Sequence, residues 1–315
     1  MFIACEGTDG AGKTTLIKAI IREIEYRFPG EDIETIHYSQ LRNDPLDEYA
    51  LKFEDYQPRS GKHIICDRWA WGETIYGPLY RGKSAVTPAQ FRWAEMFMQA
   101  RGGTTGHVSA SLETIENRLR IRGEEYLQPE DVEFVWRGFN SLSENALTAG
   151  GTAMTDEASS ERLAEIIVDE AFYAETSALE AFRPEYIGRA LPTVLLVGDI
   201  QGNSDPDATK APFMPRGTSC GSFLLESLPE LWWHRVGIVN AQETDLNDLL
   251  DKLFYPVVVA LGKNAAEALE ELGVEHSVVP HPQKIRRFHN GRQDEYGRLI
   301  RQATEKKGNY LAWPN

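Results

Sequence analysis

The 315-residue sequence predicts an α/β protein made of two units, each with a parallel sheet between two layers of helices. Apolar runs of strand length alternate with amphipathic runs of helix length along most of the chain. The chain is longer than one typical domain, and the alternation restarts after Arg183 and Pro184. We therefore expect one unit at residues 1–184 and a second at 185–315.

The predicted elements follow this alternation. In the first unit, strands are expected at residues 2–5, 33–38, 63–66, 106–110 and 151–154. Helices are expected there at residues 13–28, 88–101, 112–122, 129–147 and 157–182. In the second unit, strands at 191–199, 236–240 and 257–261 alternate with helices at 221–228, 246–253 and 264–272, which predicts a short parallel sheet.

The composition indicates a cytoplasmic protein. Hydrophobic residues make up 42% of the chain and charged residues 26%, and no apolar stretch approaches the length of a membrane span. The first residues lack the basic leader of a secretory signal. The three cysteines have no metal-ligand spacing, so we expect reduced thiols.

Charge is distributed unevenly along the chain. The formal net charge is −15, which argues against a nonspecific polyanion binder. Residues 189–315, however, carry 14 basic and 16 acidic side chains, against 19 and 32 in residues 1–188. Residues 281–307 hold eight Lys or Arg and only three Asp or Glu. Any binding of duplex DNA is expected there, through Lys284, Arg286 and Arg287.

The first fifteen residues read MFIACEGTDGAGKTT and contain the phosphate-loop pattern GxxxxGK[ST] between an apolar run and an amphipathic run. Such a loop directs backbone N–H groups toward phosphates, while Lys13 supplies a charge and the Thr14 hydroxyl a ligand for magnesium. The alternative is a glycine-rich turn without a ligand. The residues predicted to bind ATP are Gly7, Gly10, Ala11, Gly12, Lys13, Thr14 and Thr15.

A second motif, IICDRW, is a buried strand that ends in Asp67 and Arg68. Ligands of open parallel sheets bind at the carboxyl ends of the strands, so both charges should face the loop. Asp67 is expected to help hold magnesium and Arg68 to contact a phosphate, unless the two form a surface ion pair.

A third motif, RLRIRG, places Arg118 and Arg122 on one helix face, because they are four residues apart. This segment, with Glu124, Glu125 and Tyr126 after it, is expected to be a lid that brings an arginine to the transferring phosphate. The alternative is a solvated helix paired with its acidic neighbours.

The three motifs together resemble thymidylate kinases, which open with FIxxEGxDGAGKTT. The resemblance covers residues 1–182 and implies the P-loop kinase fold, a catalytic arginine from the lid, and Glu6 and Asp9 on the substrate side. Trp69 departs from the usual tyrosine, and residues 71–82 resemble phage-encoded relatives, so the host cytoplasm becomes the expected location. Trp69, Tyr76 and Arg81 are expected to hold the pyrimidine nucleotide, unless they are core residues. The resemblance also implies a homodimer, unless the appended second unit replaces that contact.

The second unit resembles the uracil-DNA glycosylase superfamily over residues 191–290. The resemblance rests on the ordered motifs GD, PF, GSFLL, VVVALGKNA and HP. It implies a base-binding site with Asp199 handling water, Asn240 reading the pyrimidine edge and His281 stabilising the departing base. Gln283 and the sequence after Asp199 depart from the family pattern, so binding is expected ahead of base excision.

These resemblances lead to three hypotheses. The first is an ATP- and magnesium-dependent kinase of a free pyrimidine deoxynucleotide, either dTMP or a modified dUMP such as 5-hydroxymethyl-dUMP. The second is a DNA kinase whose second unit binds DNA and extrudes 5-hydroxymethyluracil for phosphorylation. The third is a DNA-binding or damage-sensing module with an ATP-driven switch.

Overall fold

A computed structural model describes residues 1–38, 45–50, 53–123, 127–179, 182–199, 211–216, 219–229, 232–242, 245–254, 256–289 and 291–305. The chain divides into two compact units. The first comprises Met1–Tyr49, Tyr56–Thr87 and Arg101–Leu179. The second comprises Ala50–Asp55, Pro88–Ala100 and Glu180–Asn315. Two segments from within residues 1–184 thus belong to the second unit, which the sequence analysis did not predict.

The first unit is built on a five-stranded sheet in the order β2-β3-β1-β4-β5, with all neighbours parallel. The strands are β1 (Phe2–Glu6), β2 (Asp32–His37), β3 (Lys62–Asp67), β4 (Thr104–Ser109) and β5 (Ala149–Met154). All five lie within two residues of the predicted positions. The predicted α/β class with a parallel sheet is confirmed.

Helices cover both faces of this sheet. They are α1 (Lys13–Arg27), α2 (Pro45–Tyr49), α3 (Ala70–Arg81), α5 (Leu112–Arg122), α6 (Val132–Asn145) and α7 (Ser160–Leu179), with a 3-10 turn at Pro129–Asp131. A Cβ on Gly106 would contact Ile167 of α7, whereas the ring of the next residue, His107, stacks on Phe139 of α6. Because successive strand residues point to opposite faces, α6 and α7 lie on opposite sides of the sheet.

Helix α3 has no counterpart in the sequence analysis, because Gly72, Gly77 and Pro78 lie inside it. Packing explains why glycine is used at position 77. A Cβ there would lie 2.9 Å from Ser84 Cα, so the close approach of the following loop excludes any side chain. The helix ends at Gly82 in the left-handed conformation, a common helix terminator.

The second unit has a five-stranded sheet in the order β10-β9-β7-β8-β6. Its strands are β6 (Tyr186–Gly188), β7 (Val194–Gly198), β8 (Val236–Asn240), β9 (Val257–Leu261) and β10 (His276–Val279). Strands β7, β8 and β9 lie at the predicted positions and are parallel to one another and to β10, but β6 pairs antiparallel with β8. The prediction of a wholly parallel sheet was wrong at this edge, because three residues after a proline carry too little pattern to be read as a strand.

The remaining helices are α8 (Cys220–Ser227), α9 (Leu246–Lys252), α10 (Lys263–Glu271), α11 (Pro282–His289) and α12 (Gln293–Glu305). Side chains of α9 and α10 pack with β7, β8 and β9 in one apolar cluster. Helices α8 and α12 contact each other, and α12 also contacts β9 and β10. Within the described ranges, no helix combines the length and the apolar character that crossing a membrane requires.

Helix α4 (Pro88–Ala100) is the longest of the segments that the second unit takes from the first half of the chain. Trp93 Nε1 donates a hydrogen bond of 2.9 Å to the Pro212 carbonyl, and the Arg92 guanidinium lies 4.8 Å from the Trp233 ring centroid. Ala100 belongs to the apolar cluster of the second sheet. The helix was predicted at its correct position, but its pattern does not reveal which sheet it covers.

Candidate functional site

The loop between β1 and α1, residues 7–12, lies at the carboxyl end of the central strand. A Cβ on Gly7 would lie 2.0 Å from the Val108 carbonyl oxygen, so only glycine fits there. Gly12 is the N-cap of α1 and has a φ of 100°, in the left-handed region. No side chain caps α1, and its first turn has no acidic residue. The helix therefore presents an uncompensated positive end at this loop.

Lys13 stabilises the loop through hydrogen bonds to its backbone. Its Nζ donates to the carbonyl oxygens of Gly7 at 2.6 Å and Thr8 at 3.0 Å, and it lies 3.4 Å from Asp9 Oδ1. Burial lowers the pKa of Lys13, and the nearby carboxylate of Asp9 opposes that shift. Thr14 and Thr15, on the first turn of α1, have exposed side chains. The ammonium group is thus held inside the loop that the sequence pattern predicts.

Asp9 connects Lys13 to the end of β3. Its Oδ1 accepts a hydrogen bond of 2.8 Å from Arg68 Nη2, and its Oδ2 accepts one of 3.3 Å from the Tyr76 hydroxyl. Burial opposes ionisation of Asp9, but Lys13 and Arg68 lower its pKa overall. Arg68 has a φ of 77°, a left-handed conformation that costs about 1–3 kcal/mol in a non-glycine residue. The structure maintains this strain while directing the guanidinium at Asp9.

Asp67, the predicted magnesium ligand, is held by a residue that the sequence analysis missed. Its Oδ2 lies 2.8 Å from His37 Nδ1, and its Oδ1 is buried with no partner in the described part of the chain. His37 and Asp67 are paired in the register of β2 and β3, so the parallel pairing alone would have brought them together. No group of three or more His, Cys, Asp or Glu suited to a metal occurs among the described residues.

Glu6 was predicted to bind the substrate, but its side chain is fully buried. Its Oε1 accepts hydrogen bonds from the backbone N–H groups of Trp69 at 2.7 Å and Gly72 at 3.1 Å, at the start of α3. Its Oε2 has no partner among the described residues. Burial raises the pKa of Glu6 to about 7, although the two N–H groups favour the charged form. Glu6 therefore holds the first turn of α3 in place through these two hydrogen bonds.

This burial predicts an effect of pH on stability. The unfolded chain ionises Glu6 near its ordinary pKa of 4.5, whereas the folded protein keeps the proton up to a pKa of about 7. The folded state binds more protons in that interval, so its free energy of unfolding falls as pH rises through it. Glu6→Gln keeps the accepting oxygen and removes the charge. We expect the variant to gain up to about 3 kcal/mol relative to the native protein between pH 5 and pH 8.

Urea denaturation of both proteins at the two pH values measures this difference. Glu116→Gln, on the exposed side of α5, is the matched control and should show no such change with pH. A difference between native protein and Glu6→Gln that stays constant across this range would contradict a buried, protonated Glu6.

The three predicted acceptor residues occupy different environments. Trp69 is 1% exposed, and its ring lies 4.9 Å from that of Tyr49 in the core. Tyr76 lies under the Arg68 guanidinium, and Arg81 is partly exposed and paired with Glu73. The three border one cavity of about 50 Å³. Trp69 therefore contributes to the wall of the cavity from within the core rather than as an open stacking surface.

The two predicted lid arginines lie in different environments. Arg118 Nη1 donates to the carbonyl oxygens of Gly10 at 3.2 Å and Ala11 at 3.3 Å, and to Thr155 Oγ1 at 2.9 Å. Arg122, one turn further along α5, is exposed. Residues 124–126, the end of the predicted lid, lie outside the described residues. Arg118 thus already contacts the loop.

His107 lies on β4 of the first unit, and the sequence analysis did not identify it as a candidate site residue. It is 1% exposed, and its Nδ1 lies 3.1 Å from Thr152 Oγ1. Burial and the nearby Lys13 lower the pKa of His107 to about 4, so its ring is neutral at pH 7. A lone histidine in a buried strand gives no sequence signal that separates this position from an ordinary core residue.

In the second unit, the three predicted residues meet at the carboxyl ends of the strands. Asp199 follows β7, Asn240 ends β8, and His281 follows β10. The ring centroid of Phe213 lies 6.2 Å from that of His281. A Cβ on Gly198 would lie 2.5 Å from the Phe213 ring and 2.7 Å from Asn240 Oδ1, so only glycine permits both side chains to approach the backbone this closely. Phe213 has a left-handed φ of 52°.

Both carboxylate oxygens of Asp199 are already engaged. Gln242 Nε2 donates to Oδ1 at 2.9 Å, and Asn264 Nδ2 donates to Oδ2 at 2.5 Å. His281 Nδ1 accepts the Gln283 N–H at 3.2 Å, so the neutral ring carries its proton on Nε2. Burial lowers the pKa of His281, and Asp199 opposes this shift. The cluster offers hydrogen bonds and a ring face rather than a free base.

The three predicted phosphate-contacting residues Lys284, Arg286 and Arg287 all lie on α11, which begins directly after His281. Lys284 and Arg287 are exposed, and Arg286 is half-buried. Lys306 and Lys307, which complete the predicted basic segment, lie outside the described residues.

Comparison with known proteins gives matches to about half of the chain. No family model matches it. The chain is 25% identical over 166 residues to the SPbeta prophage-derived uncharacterized protein YorR of Bacillus subtilis (strain 168), a match that covers 53% of this chain and 96% of YorR. The chain is also similar to the crystal structure of YorR in complex with phosphorylated GDP, with 22% identity and a TM-score of 0.44. That match covers 54% of this chain and 94% of the YorR chain.

Proposed function

We propose that the first unit transfers a phosphoryl group from ATP, in the presence of magnesium, to a pyrimidine deoxynucleotide such as dTMP or 5-hydroxymethyl-dUMP. The observation that carries this proposal is the chain of contacts from Lys13 through Asp9 to Arg68. It links a cation inside a phosphate-loop pattern to a second cation at the end of the neighbouring strand. Phosphoryl transfer depends on such charges around donor and acceptor more than on covalent chemistry.

On the donor side, the glycine-rich loop and the open end of α1 would surround the ATP phosphates. Lys13 would exchange its contacts with carbonyl oxygens for contacts with phosphate oxygens. Magnesium, when bound, neutralises charge on those phosphates. The exposed hydroxyl of Thr14 and Asp67 Oδ1, which has no hydrogen-bond partner among the described residues, are oxygen donors of the type that magnesium prefers, so these residues fit the ion.

On the acceptor side, Arg68 would bind the acceptor phosphate while Tyr76 and Asp9 fix its position. The cavity of about 50 Å³ is smaller than the roughly 300–1,000 Å³ of small-molecule sites, so the nucleotide needs it to widen. The Arg81 side chain could move to widen the cavity, because it is 40% exposed. It is held in its present position by an ion pair with the Glu73 carboxylate. Released from Glu73, its guanidinium could pair with the acceptor phosphate.

The second candidate function is phosphorylation of 5-hydroxymethyluracil within DNA. The cluster of Asp199, Asn240, His281 and Phe213 favours it, because it combines hydrogen-bonding groups with a ring face, as a pyrimidine site requires. The double amide contact to Asp199 favours binding of a base without hydrolysis. In this function the second unit would hold DNA with the modified base extruded.

Labelled ATP distinguishes these functions. The full-length protein is incubated with γ-labelled ATP, magnesium and, in parallel, dTMP, 5-hydroxymethyl-dUMP, or duplex DNA with and without the modified base. Label on a free nucleotide supports the first function. Label only on modified DNA supports the second. Release of phosphate without any labelled acceptor would contradict both and favour an ATP-driven switch.

A further inference from the structure

The segment between β5 and α7 contacts the phosphate loop through the side chain of Thr155, a residue that the sequence analysis did not identify. Thr155 directly follows β5. Its hydroxyl donates a hydrogen bond of 2.6 Å to the Ala11 carbonyl oxygen. A Cβ on Gly12 would lie 3.3 Å from both Oγ1 and Cγ2 of Thr155. Thr155 therefore packs against the last two residues of the loop, where α1 begins.

The same hydroxyl also binds Arg118. A threonine hydroxyl carries one hydrogen, and that of Thr155 is directed at the Ala11 carbonyl oxygen. Its oxygen is therefore left to accept, and Arg118 Nη1 donates to it at 2.9 Å. Hydrogen bonds from a guanidinium are charge-assisted and stronger than those between neutral groups. The hydroxyl thus links the arginine to the loop, and a valine of nearly the same shape would form neither bond.

Backbone contacts fix the position of this hydroxyl. The Thr155 N–H donates to the Ser109 carbonyl oxygen, at the end of β4, at 2.8 Å. The next residue, Asp156, accepts the Ser111 N–H on its Oδ2 at 2.8 Å. Ser111 is the N-cap of α5, the helix that carries Arg118. The segment after β5 therefore contacts α5 at its start and again at Arg118, so the hydroxyl has a defined place relative to that helix.

We propose that Thr155 is a positioning residue, which holds the Arg118 guanidinium at the phosphate loop so that it meets the transferring phosphoryl group. Arg118 Nη1 has two hydrogens and faces three oxygens, those of Gly10, Ala11 and Thr155. The Thr155 oxygen is the nearest, and it belongs to a segment anchored outside the loop. A long arginine side chain needs such a fixed partner to keep one geometry during catalysis. This inference rests on the proposed phosphoryl transfer.

A double-mutant cycle on the full-length protein tests this role with γ-labelled ATP. We expect Thr155→Val to lower kcat about tenfold or more, the effect of losing a hydrogen bond to a charged group, with the KM for ATP unchanged. Thr155→Ser, which keeps the hydroxyl, should retain the native rate. In an Arg118→Ala background, Thr155→Val should cause no further loss. Thr176→Val is the matched control, because the exposed Thr176 hydroxyl likewise donates to a carbonyl oxygen, that of Phe172, and accepts from Arg59, each at 2.7 Å.

Full activity in Thr155→Val would overturn the proposal. So would a loss of the same size with and without Arg118, because the hydroxyl would then act on the loop alone. Where no acceptor is labelled, the variants are compared by release of labelled phosphate from ATP, since Arg118 would act on the same phosphoryl group. Native protein that neither transfers nor releases phosphate would contradict the proposed function and this role together. Native activity with additive losses would contradict this role alone. Circular dichroism and the serine variant separate loss of the hydroxyl from misfolding.

Discussion

Lys13→Ala is expected to reduce phosphoryl transfer from ATP by at least about a hundredfold, the effect of removing one well-placed charge stabiliser from a buried site. Lys13 is the cation that the loop encloses, with its ammonium 2.6 Å from the Gly7 carbonyl oxygen. The alanine variant leaves the loop amides in place but removes the charge that would meet the phosphates. The measurement is the rate of label transfer to whichever acceptor the native protein uses.

The matched control is Lys18→Ala, which removes an exposed lysine from the same helix. Its rate should equal that of the native protein. Because Lys13 also holds the loop, thermal unfolding of Lys13→Ala is measured in parallel, and a folded variant with full activity would remove the basis of the proposed function.

Arg118→Ala is expected to slow transfer on the order of a thousandfold, the lower range for an arginine that stabilises a transferring phosphate. The structure favours Arg118 for this role, because its guanidinium donates hydrogen bonds to Gly10, Ala11 and Thr155 at the loop. The effect should appear mainly in kcat, since the charge acts on the transferring group. Arg122→Ala should have a much smaller effect.

Arg120→Ala is the control for this prediction. Arg120 is an exposed arginine of the same helix, bonded to Asn117 at 2.7 Å rather than to the loop. Equal losses in Arg118→Ala and Arg120→Ala would mean that only the general charge of α5 matters. A larger loss in Arg122→Ala than in Arg118→Ala would assign the catalytic role to the end of the helix instead.

Local patterns were sufficient to predict the positions of the strands in the first unit and the motifs at their ends. The glycine spacing around Lys13 and the strand ending in Asp67 and Arg68 each depend on a few consecutive residues. Parallel strands then bring these segments to one edge of the sheet. The partner of Asp67 was missed because His37 becomes visible only when β2 and β3 are placed in register.

Glu6 and α3 illustrate what the sequence did not reveal. Glycines and a proline hid the helix, and without the helix there was no reason to place a carboxylate beneath its first turn. In the second unit, the positions of Asp199, Asn240 and His281 came from a resemblance. Gln242 and Asn264, which engage the carboxylate of Asp199, depend on three-dimensional contacts between separate segments.

Helix α4 has a consequence for how this protein can be divided. Its buried aromatic residues, Trp93 and Phe97, are encoded among the residues of the first unit but pack in the second. A fragment ending at residue 184 would retain these rings without their partners and would be prone to aggregate. A fragment starting at 185 would lack one of its own helices. Either unit is therefore better studied by point substitution in the full-length chain than by deletion of one half.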